Sequence, residues 1–219
     1  MTVSGHLNYT FSGNSMSYKN KDVVKDLPYS DNVKAYIAAN VELDRALEKL
    51  LGYLTEKGKL DDTVIVISPD HYPYGLKTYE LNEVSKTDRS DKFEMFHTSL
   101  ILYNNAMKEN KVVEKYVSSI DVLPTVYNLF GVNYDSRLLM GTDALSESEG
   151  LVMLSDRSWI NENGSYNSMT GKFTSFKEGL PEDYVSKINA KVYGKFTTSS
   201  LLLYEKNGKY LDYYSKLGI

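Results

Sequence analysis

Apolar positions follow two rhythms along the chain. Between residues 31 and 57, Val33, Ile37, Val41, Leu47, Leu51 and Leu54 recur at three- and four-residue steps, with Asp44 the polar exception in the series. That spacing predicts a long amphipathic helix. Ser30 or Asp31 can cap its start, and Gly58 supplies its stop. Two shorter runs, Thr63–Ser68 and Thr98–Tyr103, show no polar alternation. Runs of that kind predict strands buried on both faces. The polar stretch Lys77–Glu94 between them has room for a helix of about a dozen residues, the arrangement of a parallel α/β sheet. Ile120–Phe130 reads as a further helix, with Asp121 as a cap, Pro124 in the first turn and Gly131 at the end. Leu151–Leu154 suits another strand.

The two ends differ from this middle. Met1–Ser4 is β-compatible, Gly5-His6 breaks it, and a polar loop runs over Ser12–Asp31. After residue 155, Asn163-Gly164 and Thr170-Gly171-Lys172 are turn signals between the short β-like pieces Ser158–Ile160, Ser165–Asn167 and Lys172–Phe176. They predict a small antiparallel meander. Pro181–Tyr204 follows with Tyr184, Ile188, Val192 and Phe196 four apart, a helical stripe. The expected fold is α/β: a mostly parallel sheet flanked by helices over residues 1–155, then a β meander and a helical tail over 156–219.

Composition narrows the function. The 219 residues are 42% hydrophobic and 25% charged, a globular balance. Lys and Arg total 25 against 29 Asp and Glu, a formal charge of −4, which argues against a nucleic-acid binder. No apolar run approaches the ~20 residues of a membrane span, and Met1 leads into no signal-peptide pattern. The absence of cysteine excludes disulfides, thiolate metal sites and a cysteine nucleophile from this segment.

The chemistry concentrates in Ser68-Pro69-Asp70-His71-Tyr72-Pro73-Tyr74-Gly75. Asp70 and His71 stand just past the carboxyl end of the most apolar strand, where open α/β sheets bind ligands. A carboxylate beside an imidazole can hold Mn²⁺, Zn²⁺ or Mg²⁺. The competing reading is that Asp70 caps a turn and His71 hydrogen-bonds to it. His6 follows a glycine that permits close backbone approach, so it can reach the same sheet edge or serve structure alone. His97 precedes its strand, at the end away from catalysis, and reads as structural. Asp44, Asp121, Asp143 and Asp156 sit in no recognisable ligand spacing, and there is no phosphate-binding glycine loop, nucleophile elbow or His-Glu-x-x-His. From the residues alone this is half of a metal site.

Asp62-Thr63-Val64-Ile65-Val66-Ile67-Ser68-Pro69-Asp70-His71 resembles the strand-and-metal motif of sulfatases and lipoteichoic acid synthase-like phosphoglycerol transferases, within the alkaline-phosphatase-like superfamily. Asp121-Val122-Leu123-Pro124-Thr125, running on to Gly131, is similar to that family's later helix, and Gly141-Thr142-Asp143 to its following turn. Thr2-Val3-Ser4-Gly5-His6 resembles the strand whose histidine lies near the substrate head group. These motifs occur in family order over residues 1–155, and the tail is similar to the end of the membrane-anchored synthase branch.

The resemblance implies that Asp70 and His71 ligate a divalent ion, Mn²⁺ first, with Mg²⁺, Ca²⁺ or Zn²⁺ as alternatives. It implies that His6 binds substrate, a phosphate or sulfate ester such as a glycerophospholipid, at the extracytoplasmic face of the membrane. The family's nucleophile and an upstream acidic ligand would precede the His6 strand, and neither stands in this chain. The expectation is therefore a carboxyl-terminal portion of a larger enzyme, catalytically silent alone and prone to self-association where its sheet lacks neighbours. Two other readings stay open: a non-catalytic module of the same fold that binds a polyanion or cell-wall polymer, and an unrelated cytosolic α/β protein.

Overall fold

The computed structural model describes residues 3–204. The chain gathers into two compact units, Met1–Asn110 and Lys111–Ile219.

The first unit is organised by one long helix. Short helices α1 (Ser15–Lys19) and α2 (Lys21–Val24) lead to α3 (Asp31–Glu56), the helix expected from the periodicity. Its contact with α1 and α2 uses small residues: Ala35, Ala38 and Ala39 are fully buried beside Val33. Polar side chains complete that contact, the Ser17 hydroxyl donating to Ala35 O at 2.7 Å and the Asn20 amide to Ala38 O at 3.1 Å. Farther along, Leu47, Leu51 and Leu54 are only half-buried. The helix stops as expected: Gly58 has φ +62°, and Lys59 N–H donates to Leu54 O at 2.8 Å, closing a Schellman motif. At the start, Ser30 occupies the N-cap position but its hydroxyl makes no capping bond. Its backbone N–H instead donates to Glu83 at 2.6 Å.

Strands β1 (Ile65–Ile67) and β2 (Ile101–Tyr103) lie in the two expected runs, but they pair antiparallel, Ile65 opposite Tyr103 and Ile67 opposite Ile101. They form a two-stranded sheet, so β1 is not central among the described residues, and no parallel sheet is seen there. Both strands are half-covered rather than buried, and Ile101 is exposed. An unbroken apolar run reports the chemistry of both faces and carries no information on strand direction. The connection holds only the seven-residue helix α4 (Thr78–Val84) and a 3₁₀ turn at Glu94–Phe96, shorter than the crossover helix expected. The core of this unit is Tyr9, Val33, Leu76 and Leu81, with Tyr36, Ile37 and Tyr72 packed around it.

In the second unit, a 3₁₀ turn at Ser119–Asp121 runs into α5 (Val122–Leu129). Asp121 caps the 3₁₀ turn rather than α5: its carboxylate accepts from Ser118 N–H at 2.7 Å. The meander is present and has four strands, β3 (Val152–Met153), β4 (Trp159–Asn161), β5 (Gly164–Asn167) and β6 (Lys172–Ser175), antiparallel in that order. Helix α6 (Tyr184–Tyr204) lays its Tyr184, Ile188, Val192 and Phe196 stripe on the meander. Trp159 is the centre of that core, with no exposed surface and its indole N–H donating to Asn189 at 2.7 Å. No helix among the described residues is long and apolar enough to cross a membrane.

Candidate metal centre

The turn after β1 carries Asp70 and His71 out of the sheet, and a second loop is laid against it. Gly75 makes that approach possible: a Cβ there would lie 2.0 Å from Leu7 Cδ2 and 2.8 Å from the Tyr9 ring. The 3–14 loop is pinned at its far end by Asn14. That side chain caps α1 through Met16 N–H at 2.9 Å and donates to His6 O at 3.1 Å. Together these contacts bring His6 to the same corner as His71, with ring centroids 6.1 Å apart.

Asp70 Oδ1 lies 3.5 Å from His71 Nε2. On the other side of the ring, His71 Nδ1 is 2.8 Å from Tyr72 O. A carbonyl oxygen can only accept, so Nδ1 carries the proton of the neutral ring and Nε2 keeps its lone pair toward Asp70. This is how metal-binding histidines are commonly oriented, with the second nitrogen held by a carbonyl. The Tyr72 carbonyl is itself fixed, accepting Tyr74 N–H at 2.8 Å. The Asp70 carboxylate is 65% exposed and His71 37%, so both donor atoms open to solvent.

Aromatic rings wall the corner. Tyr74 is 4.8 Å from the His71 ring and 6.4 Å from His6, and Phe96 packs edge-on to Tyr72 at 5.5 Å. Tyr9 closes the floor. Burial, followed by the nearby Tyr36, Tyr74 and Asp70, pushes its phenol up to about 12. The sequence signals Tyr72 and Tyr74 only through their place beside His71 in the Tyr72-Pro73-Tyr74 turn.

The donor set fits part of a metal site. A carboxylate oxygen and an imidazole nitrogen 3.5 Å apart can share one first-row divalent ion. Among the described residues, however, no group of three or more His, Asp or Glu could hold a metal. His97 stays apart from this pair in its bonding, its Nδ1 3.2 Å from Glu94 and its carbonyl accepting from Arg89 at 2.7 Å. Hydrogen bonding from Thr87 first, and then from His97, holds the Glu94 carboxyl below its ordinary range.

The other two motif segments form a structural knot in the second unit. Asp121, 4% exposed, accepts from Thr142 N–H at 2.7 Å as well as from Ser118. Thr125 donates to Asp121 O at 2.6 Å and accepts from Ala144 N–H at 2.8 Å. Asp143 is engaged locally by Leu145 N–H at 2.8 Å and Asn128 at 3.1 Å. These residues hold the 141–144 turn on the start of α5.

The chain is similar to known proteins. The sequence profile of the sulfatase family matches residues 1–132, more than half of the chain. The lipoteichoic acid synthase of Staphylococcus saprophyticus is 28% identical over 194 residues, 81% of this chain and 29% of that protein. The lipoteichoic acid synthase of Staphylococcus aureus is 27% identical over 157 residues, 70% of this chain and 23% of that protein. The chain thus spans less than a third of the length of these curated relatives. With the strand, the Asp70–His71 pair and the α5 turn all inside one matched region or just beyond it, the chain belongs to the sulfatase family.

Proposed function

We propose that this chain is the metal-binding, carboxyl-terminal part of the catalytic domain of a phosphoglycerol transferase similar to lipoteichoic acid synthase. The observation that carries the reading is the Asp70–His71 pair, with Nε2 oriented by the Tyr72 carbonyl. Asp70 supplies a hard anionic ligand and His71 a neutral one. Further ligands and the hydroxyl nucleophile come from residues outside this chain, which also supply strands beside β1 and β2. When bound, a divalent ion (Mn²⁺ first, then Mg²⁺, Ca²⁺ or Zn²⁺) favours ionisation of that hydroxyl and offsets charge gathering on the transferred group.

The chain's own residues then have distinct tasks. His6, held by Asn14 and Gly75 beside His71, hydrogen-bonds the transferred phosphate or its leaving oxygen. Tyr74 and Phe96 shield the corner and narrow its approach, which favours a compact ester head group. The substrate is a phosphate ester of the glycerophospholipid kind, with a sulfate ester as the alternative, met at the extracytoplasmic face of the membrane. Residues 1–155 belong to the catalytic domain, and the meander and helical tail follow them in the chain.

Titration of the purified chain with Mn²⁺, followed by calorimetry and by the electron paramagnetic resonance of the free ion, tests this. Saturable binding lost in Asp70→Ala and weakened in His71→Gln is expected, with no turnover of a phosphodiester or an aryl sulfate. Equal binding by Asp70→Ala overturns the ligand assignment. Turnover that depends on Asp70 would overturn the placing of the nucleophile outside the chain.

A further inference from the structure

We propose that His97, held by Glu94, passes a proton to and from the ester oxygens at the Asp70–His71 corner. The inference rests on the function proposed above and gives one further residue of this chain a part in it. The direction of β2 brings His97 there. In a parallel sheet the residues before β2 would lie at the amino end of β1, away from the turn that carries Asp70 and His71. The observed pairing is antiparallel, with Ile67 opposite Ile101, so the chain before Ile101 runs back along the carboxyl end of β1. Counted onward one for one in that register, His97 falls opposite His71 and Phe96 opposite Tyr72. The second of these pairs is in contact, its rings edge-on with centroids 5.5 Å apart. Tyr72 is also the residue whose carbonyl holds the His71 ring.

The turn that presents His97 is fixed from several sides. His97 N–H donates to Glu94 O at 3.1 Å, and Asp91 accepts Phe93 N–H at 2.8 Å and Glu94 N–H at 3.1 Å. Arg89 spends its guanidinium on the same turn, donating to the carbonyls of Glu94 and His97 and to the Ser85 hydroxyl. Against this rigid backbone the His97 side chain is 65% exposed. Its Nδ1 faces the Glu94 carboxylate at 3.2 Å. An ionised carboxylate can only accept, so Nδ1 carries a proton whether the ring is neutral or charged, and every change of protonation falls on Nε2. Thr87 donates to the same Glu94 oxygen at 2.6 Å, which helps to keep that carboxylate ionised. A carboxylate that fixes one imidazole nitrogen while the other exchanges protons is the arrangement of general acid–base histidines.

The two transfers then balance. In the first, the bond from phosphorus to the leaving ester oxygen breaks as the nucleophile's oxygen bonds to phosphorus. The leaving oxygen takes the Nε2 proton of the charged ring and departs as a hydroxyl, which leaves His97 neutral. In the second, an acceptor hydroxyl bonds to phosphorus through its oxygen and gives its proton to Nε2, while the nucleophile's oxygen departs. The ring is charged again, and no outside acid or base enters. His6 is left to the transferred phosphate.

The test uses the full chain in Mg²⁺, a diamagnetic ion, with glycerophosphoglycerol, a diester that carries a single negative charge across the neutral range. Imidazole resonances are followed during the titration. Saturable binding should shift the His97 ring together with His6, the His97 Nε2 frequency moving toward that of a protonated nitrogen. His97→Gln should weaken the diester about fivefold or more, with melting temperature and Mg²⁺ affinity those of the parent. Glu94→Gln keeps the ring but loosens its hold on Nδ1, and should abolish the Nε2 movement. A histidine that served structure alone would lower the melting temperature and leave diester affinity unchanged. Absence of saturable binding, a His97 ring that stays still at saturation, or equal affinity in His97→Gln would overturn the proposal. Intact Asp70-dependent ion binding beside a still His97 ring sinks this proposal alone, whereas loss of that ion binding sinks the proposed function.

Discussion

Asp121 accepts the backbone N–H of Thr142 at 2.7 Å from a position that is almost fully buried. The bond joins the start of α5 to a turn some distance along the chain and needs an acceptor at both carboxylate oxygens, since the other takes Ser118 N–H. Asp121→Asn turns an amide toward one of these donors, and a cost of about 1–3 kcal/mol is expected. Thr142→Ala keeps the backbone donor and should stay within about 0.5 kcal/mol of the parent. Urea unfolding of the two variants checks the contrast, and equal losses would refute it.

Gly75 sets the distance between two loops. In Gly75→Ala, the new methyl meets Leu7 and the Tyr9 ring, so a loss of about 1–3 kcal/mol is expected together with a displaced His6. The Leu7 contact is the flexible one. Adding Leu7→Ala should recover part of the loss, giving a coupling that thermal melts of the single and double variants can measure. Purely additive losses would show that Leu7 does not oppose the methyl.

Tyr9 makes the molecule sensitive to alkali. Its phenol is raised from 10.0 to about 12, first by burial. Between those two values the unfolded chain has already given up the proton while the folded one retains it, so stability falls as pH rises from about 10 to about 12. Below pH 10 this contribution is complete. Tyr9→Phe should flatten the decline, seen as a smaller change in the denaturation midpoint across that range.

What the sequence disclosed depended on whether periodicity or chain direction was at issue. Helix α3, α6 and the meander followed from spacing and turn residues, because a one-sided core imposes those rhythms. The orientation of β1 against β2 did not, since Ile65–Ile67 has the same apolar character for either neighbour. Ala35, Ala38 and Ala39 carry no sequence signal of their burial, because alanine reads as a helix former before it reads as a close contact. Asp70 and His71 were visible as adjacent donors past a strand. His6 was legible as a histidine behind Gly5 that could reach the same sheet edge, its substrate role came from the family resemblance, and the Gly75 approach and the Asn14 bonds account for its nearness. The buried role of Asp121 was legible in Ser118-Ser119-Ile120-Asp121, a capping-box spacing. The backbone of Arg157, with φ +68°, was not, because nothing in Asp156-Arg157 announces a left-handed turn.

Trp159 is the single tryptophan of the chain, sealed under α6 in the second unit. Its emission therefore reports on water entering the meander beneath α6, with no second indole to blur the signal.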